Sequence, residues 1–154
     1  MSLIQKLHDD VKTALKGGDS FSVQVLRMVQ AAVHNKIIEK RGAGQGEELT
    51  DSEVVEILKK EAKKRRDAAF LYRDGGRNDR ADQEEKEVAY IERYLPAQLG
   101  RDEIAAIVEK ALAASQDAAA PFGVIMKEVM KEIAGRADGK LVSEIIKEKY
   151  TAAA

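Results

Sequence analysis

The chain has no cysteine and no tryptophan, and only 2 of its 154 residues are proline. Without cysteine there can be no disulfide, no thiolate metal site and no cysteine nucleophile. That absence agrees with a reducing compartment, and the cytoplasm is the expected location. Aromatic residues make up 5% of the chain, so a core must be assembled from Leu, Ile, Val, Ala and Met, which suits helix packing. No apolar run approaches the ~18 residues of a membrane span. The first ten residues are amphipathic and mixed in charge, unlike a signal peptide. Nor is there an excess of one sign of charge: 26 basic side chains face 27 acidic ones, a net charge of −1, and the balance holds on both sides of Pro96. This excludes the strongly basic body of a dedicated nucleic-acid binder. Contact with nucleic acid would have to come from local patches.

What is present is 44% apolar and 34% charged residues, enough for a packed core and too apolar for global disorder. Apolar residues recur with a period near 3.6 almost everywhere, and no segment alternates with period 2. The spacing predicts helices over about 3–16, 20–40, 51–74, 78–95, 102–114, 121–134 and from 139 to near the end. Ser2 and Asp19 or Ser20 can cap the first two helices. Thr50 and Glu53 form a capping box. Gly17-Gly18, the glycine-rich stretch 41–49 and Gly75-Gly76 break the chain, and Pro96 stops the fourth helix. Pro121 suits a first helical turn, Gly135 a left-handed cap, and Asp138 the start of the last helix. Residues 115–120 form an Ala-rich connection. The expected fold is all-α: an N-terminal four-helix domain, 1–96, followed by a small three-helix bundle, 97–154.

The strongest charge feature is Lys59-Lys60-Glu61-Ala62-Lys63-Lys64-Arg65-Arg66. At 100° per residue, Lys59, Lys63 and Arg66 share one side of the helix, while Arg65 falls inside the apolar stripe of Leu58, Ala62 and Ala69. The basic side is either a ridge that contacts phosphates or a solvated face neutralised by acids of the fourth helix (Asp82, Glu84, Glu85, Glu87). Arg65 is expected to bury its stem and pair with a carboxylate of that helix. A second group, Lys127, Lys131, Arg136 and Lys140, lies around the corner Arg136-Ala137-Asp138-Gly139-Lys140. A glycine-flanked corner with cations and a helix N-terminus can hold a phosphate; it can also be a plain helix–helix turn.

Chemistry-bearing patterns are sparse. His8 and His34 stand alone, without a carboxylate or second His at ligand spacing, so no metal site is expected. The stretch Gly42-Ala43-Gly44-Gln45-Gly46 lacks the Lys-Ser/Thr and the preceding strand of a phosphate loop. No nucleophile and base are placed as a triad. No catalytic residue and no cofactor are expected.

Several segments together resemble the YqeY-like (GatB/YqeY) family. They are Val25-Leu26-Arg27-Met28, the helix start Leu49-Thr50-Asp51, Lys60-Glu61 with Arg65-Arg66, Tyr94-Leu95-Pro96-Ala97-Gln98-Leu99, and Gly135-Arg136-Ala137-Asp138-Gly139-Lys140-Leu141-Val142 with Lys147-Glu148-Lys149. They occur in that order over nearly the whole chain. The C-terminal part is similar to the tail of the B subunit of the glutamine-dependent amidotransferase that acts on mischarged Asp-tRNA(Asn) and Glu-tRNA(Gln). The resemblance implies a three-helix tail-like domain of a kind that helps to hold tRNA. It carries over a binding module, since nothing here resembles the kinase-like or amidase parts. Gly100 stands where a capping Ser or Thr would be expected. The leading expectation is therefore a non-catalytic tRNA-binding accessory protein, with contacts at Lys127, Lys131, Arg136 and Lys140 and further ones at Lys59, Lys63 and Arg66. Two alternatives stay open. One is a protein-interaction module that docks on an amidotransferase or an aminoacyl-tRNA synthetase. The other is a part of a carbon–nitrogen ligase that takes nitrogen from glutamine.

Overall fold

The computed structural model describes residues 1–115 and 120–153, without the side chains of 151–153. The described residues form helices and no strand: α1 (Leu3–Gly17), α2 (Ser20–Gly42), α3 (Asp51–Asp74), α4 (Asn78–Glu92), α5 (Arg101–Ala114), α6 (Phe122–Ile133) and α7 (Gly139–Ala153). They fall into two compact units, Met1–Leu95 and Pro96–Ala154.

In the first unit, capping sets where each helix starts. The Ser2 hydroxyl accepts from the Gln5 N–H, and the Gln5 side chain accepts from the Ser2 N–H. Asp19 caps α2 through the Ser22 N–H at 3.0 Å. At α3 the Thr50 hydroxyl accepts from the Glu53 N–H at 3.3 Å, and Glu53 accepts from the Thr50 N–H at 2.8 Å. Such reciprocal bonds satisfy donors that a helix end otherwise leaves free. Asp51 also accepts from the Leu3 N–H at 2.9 Å, tying the start of α1 to the start of α3. The core consists of Leu7, Val25, Leu26, Val29, Val54, Leu58 and Ile91 with their neighbours, and α3 and α4 lie side by side as a hairpin.

Residue 92, not 95, ends α4. Proline cannot donate to the carbonyl four residues back, and it disfavours helical backbone at the preceding residue. Residues 93–95 wind instead into tight turns, with Arg93 N–H on Tyr90, Tyr94 N–H on Ile91 and Leu95 N–H on Glu92. There Tyr94 donates its hydroxyl to Asp10 of α1 at 2.6 Å. Burial first, and then this bond to a carboxylate, push the Tyr94 phenol above its ordinary pKa. Phe21 meets Tyr90 edge to face at 5.9 Å, and Tyr90 leads on to Tyr94 at 6.1 Å. This aromatic row locks the last turn of α4.

The second unit packs α5, α6 and α7 around Ile104, Val108, Ile125, Val129, Ile133, Val142, Ile145 and Ile146, all buried. Gly100 opens α5 with help from Glu103, which accepts from its N–H at 2.7 Å. That bond supplies half of a capping box where the side-chain half is missing. Pro121 precedes α6 as its cap, not as its first helical residue, and its carbonyl accepts from the N–H of Val124 and Ile125. Of the Ala-rich connection 115–120, residues 116–119 lie outside the described residues.

Candidate nucleic-acid-binding surfaces

On α3 the basic residues are close to acids in every case the ridge reading needs. Lys59 lies 3.5 Å from Glu56, Lys63 is 2.8 Å from Asp67, and Arg66 pairs with Glu92 of α4. Arg73 reaches both Asp82 and Glu85 of α4. Thus Lys59, Lys63 and Arg66 share a helix side as their spacing dictates, and each already has a carboxylate. The ridge carries little net field.

Arg65 takes the structural place its position in the apolar stripe demands. It is 7% exposed, as is Glu87. Its Nε donates to Glu87 at 3.0 Å, while one Nη1 proton goes to Glu61 Oε2 at 2.8 Å and another contact reaches the Glu61 carbonyl at 2.9 Å. Burial alone would lower the Arg65 pKa, but the two carboxylates outweigh it and raise it. Burial likewise pushes Glu61 up, but Lys64 and Arg65 outweigh it and hold its carboxyl below the usual range. Nearby Glu84 is raised, by burial and then by the charge of Glu87.

The corner between α6 and α7 is built by the backbone. Ala134 closes α6 in the left-handed region, φ 49° and ψ 48°, followed by Gly135 at φ 80°. The expected left-handed residue is therefore joined by an alanine, for which that backbone costs about 1–2 kcal/mol. Its N–H reaches the Met130 carbonyl at 3.1 Å. Asp138 then starts α7: its carbonyl accepts from Val142 N–H at 3.1 Å and its carboxylate from Lys140 N–H at 3.2 Å. Ala137 is buried in the corner, and the Leu99 N–H bonds the Arg136 carbonyl at 2.7 Å.

The four cations named for this corner divide into two kinds. Arg136 is half-buried, and its guanidinium folds back on the end of α6, Nε to the Ile133 carbonyl at 2.9 Å and Nη2 to the Glu132 carbonyl at 3.0 Å. It caps a helix C-terminus, where a cation also meets the negative end of the dipole. Lys127, Lys131 and Lys140 are exposed, and among the described residues none has a carboxylate partner. Lys127 and Lys131 are one turn apart on the side of α6 away from Ile125, Val129 and Ile133, and Lys140 lies in the first turn of α7. Other cations of the unit are committed: Arg101 to Glu148 at 2.6 Å, Lys110 to Glu132 at 3.6 Å, Lys149 to Glu109.

Sequence reasoning missed the capping work of Arg136. Its offsets of 3 and 4 from Ile133 and Glu132 were the available signal, since a basic residue just past a helix end commonly reaches back. His8 accepts or donates with Gln30 at 3.0 Å, and no cluster able to hold a metal exists among the described residues. No helix among them is long and apolar enough to cross a membrane.

A family model described as Yqey-like protein matches residues 4–150. A protein named altered inheritance of mitochondria protein 41, mitochondrial, from Pyrenophora tritici-repentis (strain Pt-1C-BFP), is 25% identical over 150 residues, covering 95% of this chain and 80% of that protein.

Proposed function

Because the chain belongs to the YqeY-like family, we propose that it acts as a tRNA-binding accessory protein that performs no chemistry of its own, through a second unit related to the amidotransferase B-subunit tail. The observation that carries the reading is the separation of cations in that unit. Arg101, Lys110 and Lys149 are held by acids, whereas Lys127, Lys131 and Lys140 are exposed with no acid beside them among the described residues. Unpaired lysines on one helix face and at the next helix start can neutralise phosphates and release counterions. Arg136 keeps protons free beyond its two capping bonds, so it can add to the contact while holding the corner in shape. Lys59, Lys63 and Arg66 contribute less, because each would first have to leave a carboxylate.

Shape and backbone, not base edges, would set recognition, as is usual for folded RNA. The chain is placed in the cytoplasm as part of the same proposal. The word mitochondrial in the relative's name belongs to that relative.

The test is binding of unfractionated tRNA to the purified chain over a salt series. With three to four phosphates engaged, the logarithm of the association constant should fall with the logarithm of salt at a slope of roughly −2 to −4. Affinity that does not change with salt, or no binding at low salt, removes the reading.

A further inference from the structure

Val25 and Leu26, in the motif Val25-Leu26-Arg27-Met28, are explained by burial, at 0% and 1% exposed. Arg27 is not. It is exposed and has no ion-pair, hydrogen-bond or ring partner among the described residues. It stands on the edge of an open concavity of about 580 Å³ between the last turn of α1 and the first turns of α2. That size lies within the roughly 300–1,000 Å³ of binding clefts. The walls are apolar, with Ala14 and Leu15 from α1 and Val23 and Met28 from α2. Leu15 remains 50% exposed there.

Two features make this surface more than a gap between helices. Its α2 wall follows residues 20, 23, 24, 27 and 28, the i, i+3, i+4 spacing of one helix face, and so extends for about 12 Å at 1.5 Å per residue. This is the length of two turns of a second helix. Its one cation is also unpaired: Asp19, the acid in the lining, keeps its charge but is turned to Ser22, from whose N–H and hydroxyl it accepts at 3.0 and 2.6 Å, and makes no ion pair with Arg27. Met28 in the wall is also tied down, since its sulfur accepts from the buried Arg65 guanidinium at 3.5 Å.

We propose that this groove docks an acidic amphipathic helix of a partner protein. An aliphatic side chain of the partner lies against Leu15, Val23 and Met28, and a carboxylate one turn further along pairs with Arg27. Apolar anchors at helical spacing give such docking its affinity, and a bidentate Arg–carboxylate pair gives it register. The inference does not depend on RNA binding by the second unit.

The test uses the full chain, labelled with ¹⁵N, and two synthetic helical peptides with the same leucine stripe. One carries Glu at the flanking positions and the other carries Lys there. The Glu peptide should shift the amide signals of Gly18, Val23, Arg27 and Met28 and bind at least about tenfold more tightly than the Lys peptide, a difference of about 1.4 kcal/mol. Arg27→Glu should reverse the order, and Leu15→Asp should weaken both peptides. The proposal is overturned by unmoved amides in the groove, by equal binding of the two peptides, or by indifference to either substitution. It is also overturned if added tRNA, and not the Glu peptide, moves those amides.

Discussion

Arg65 is a cation placed where an alanine or leucine would pack without any desolvation penalty, and its neighbours explain how it is tolerated. Glu61 and Glu87 both bond its guanidinium, and no buried side-chain polar atom of the described residues lacks a partner. The pair illustrates an asymmetry of buried ions: removing one partner is far worse than removing both. Arg65→Met should therefore cost about 3–5 kcal/mol in urea unfolding, because Glu87 is left charged and dry. The double variant Arg65→Met/Glu87→Leu should recover most of that loss. A double variant as unstable as the single one would show that packing, not charge, explains the cost. Arg65 was legible in the sequence because a basic residue inside an apolar stripe has few other options. The partners of Lys59, Lys63 and Arg66 were not, since they depend on which acids of α3 and α4 come within reach. The capping bonds of Arg136 were not read for a similar reason: spacing placed it at the corner but did not say that the carbonyls of α6 would be within its reach.

At the scale of the element, the helix starts were written plainly and some of the ends were not. Thr50 and Glu53 form the box that their spacing prescribes, and Lys40 of α2 adds an ion pair to Glu53 at 2.8 Å. The hydrogen bond from Lys40, followed by those from Thr50, holds the Glu53 carboxyl down at about 2. A depressed folded-state pKa means that this contribution is complete above the ordinary value of 4.5 and disappears as pH falls toward 2. Wild-type stability should therefore decline across that window, and Glu53→Gln should flatten part of the decline; parallel curves would contradict the assignment. Thr50→Ala should cost about 1 kcal/mol at neutral pH, the usual value of a lost N-cap. Helix ends are harder to read. Pro96 announced a stop, yet the winding changes three residues before it, and Ala134 takes a left-handed backbone that its side chain does not favour. Both are imposed from further along the chain, by a proline in one case and by the turn into α7 in the other.

For the whole molecule, the all-α architecture followed from period, caps and breakers, because each segment carries its own pattern. Free charge is a property of the folded unit: a net charge of −1 is compatible with a wholly neutralised surface and equally with a few lysines left over. The fold supplies that sorting in the second unit, where Lys127, Lys131 and Lys140 remain after Arg101, Lys110 and Lys149 have found acids, Arg136 carbonyls and Lys147 the Phe122 ring. The proposed RNA contact rests on these three residues. Its most direct test is the affinity of fluorescently labelled tRNA for the triple variant Lys127→Glu/Lys131→Glu/Lys140→Glu, compared with Lys12→Glu in the first unit, which reverses a surface cation already beside Asp9. The triple variant should bind at least about tenfold more weakly than wild type, with a shallower salt slope, while Lys12→Glu binds like wild type. Equal affinities for all three proteins would contradict the account.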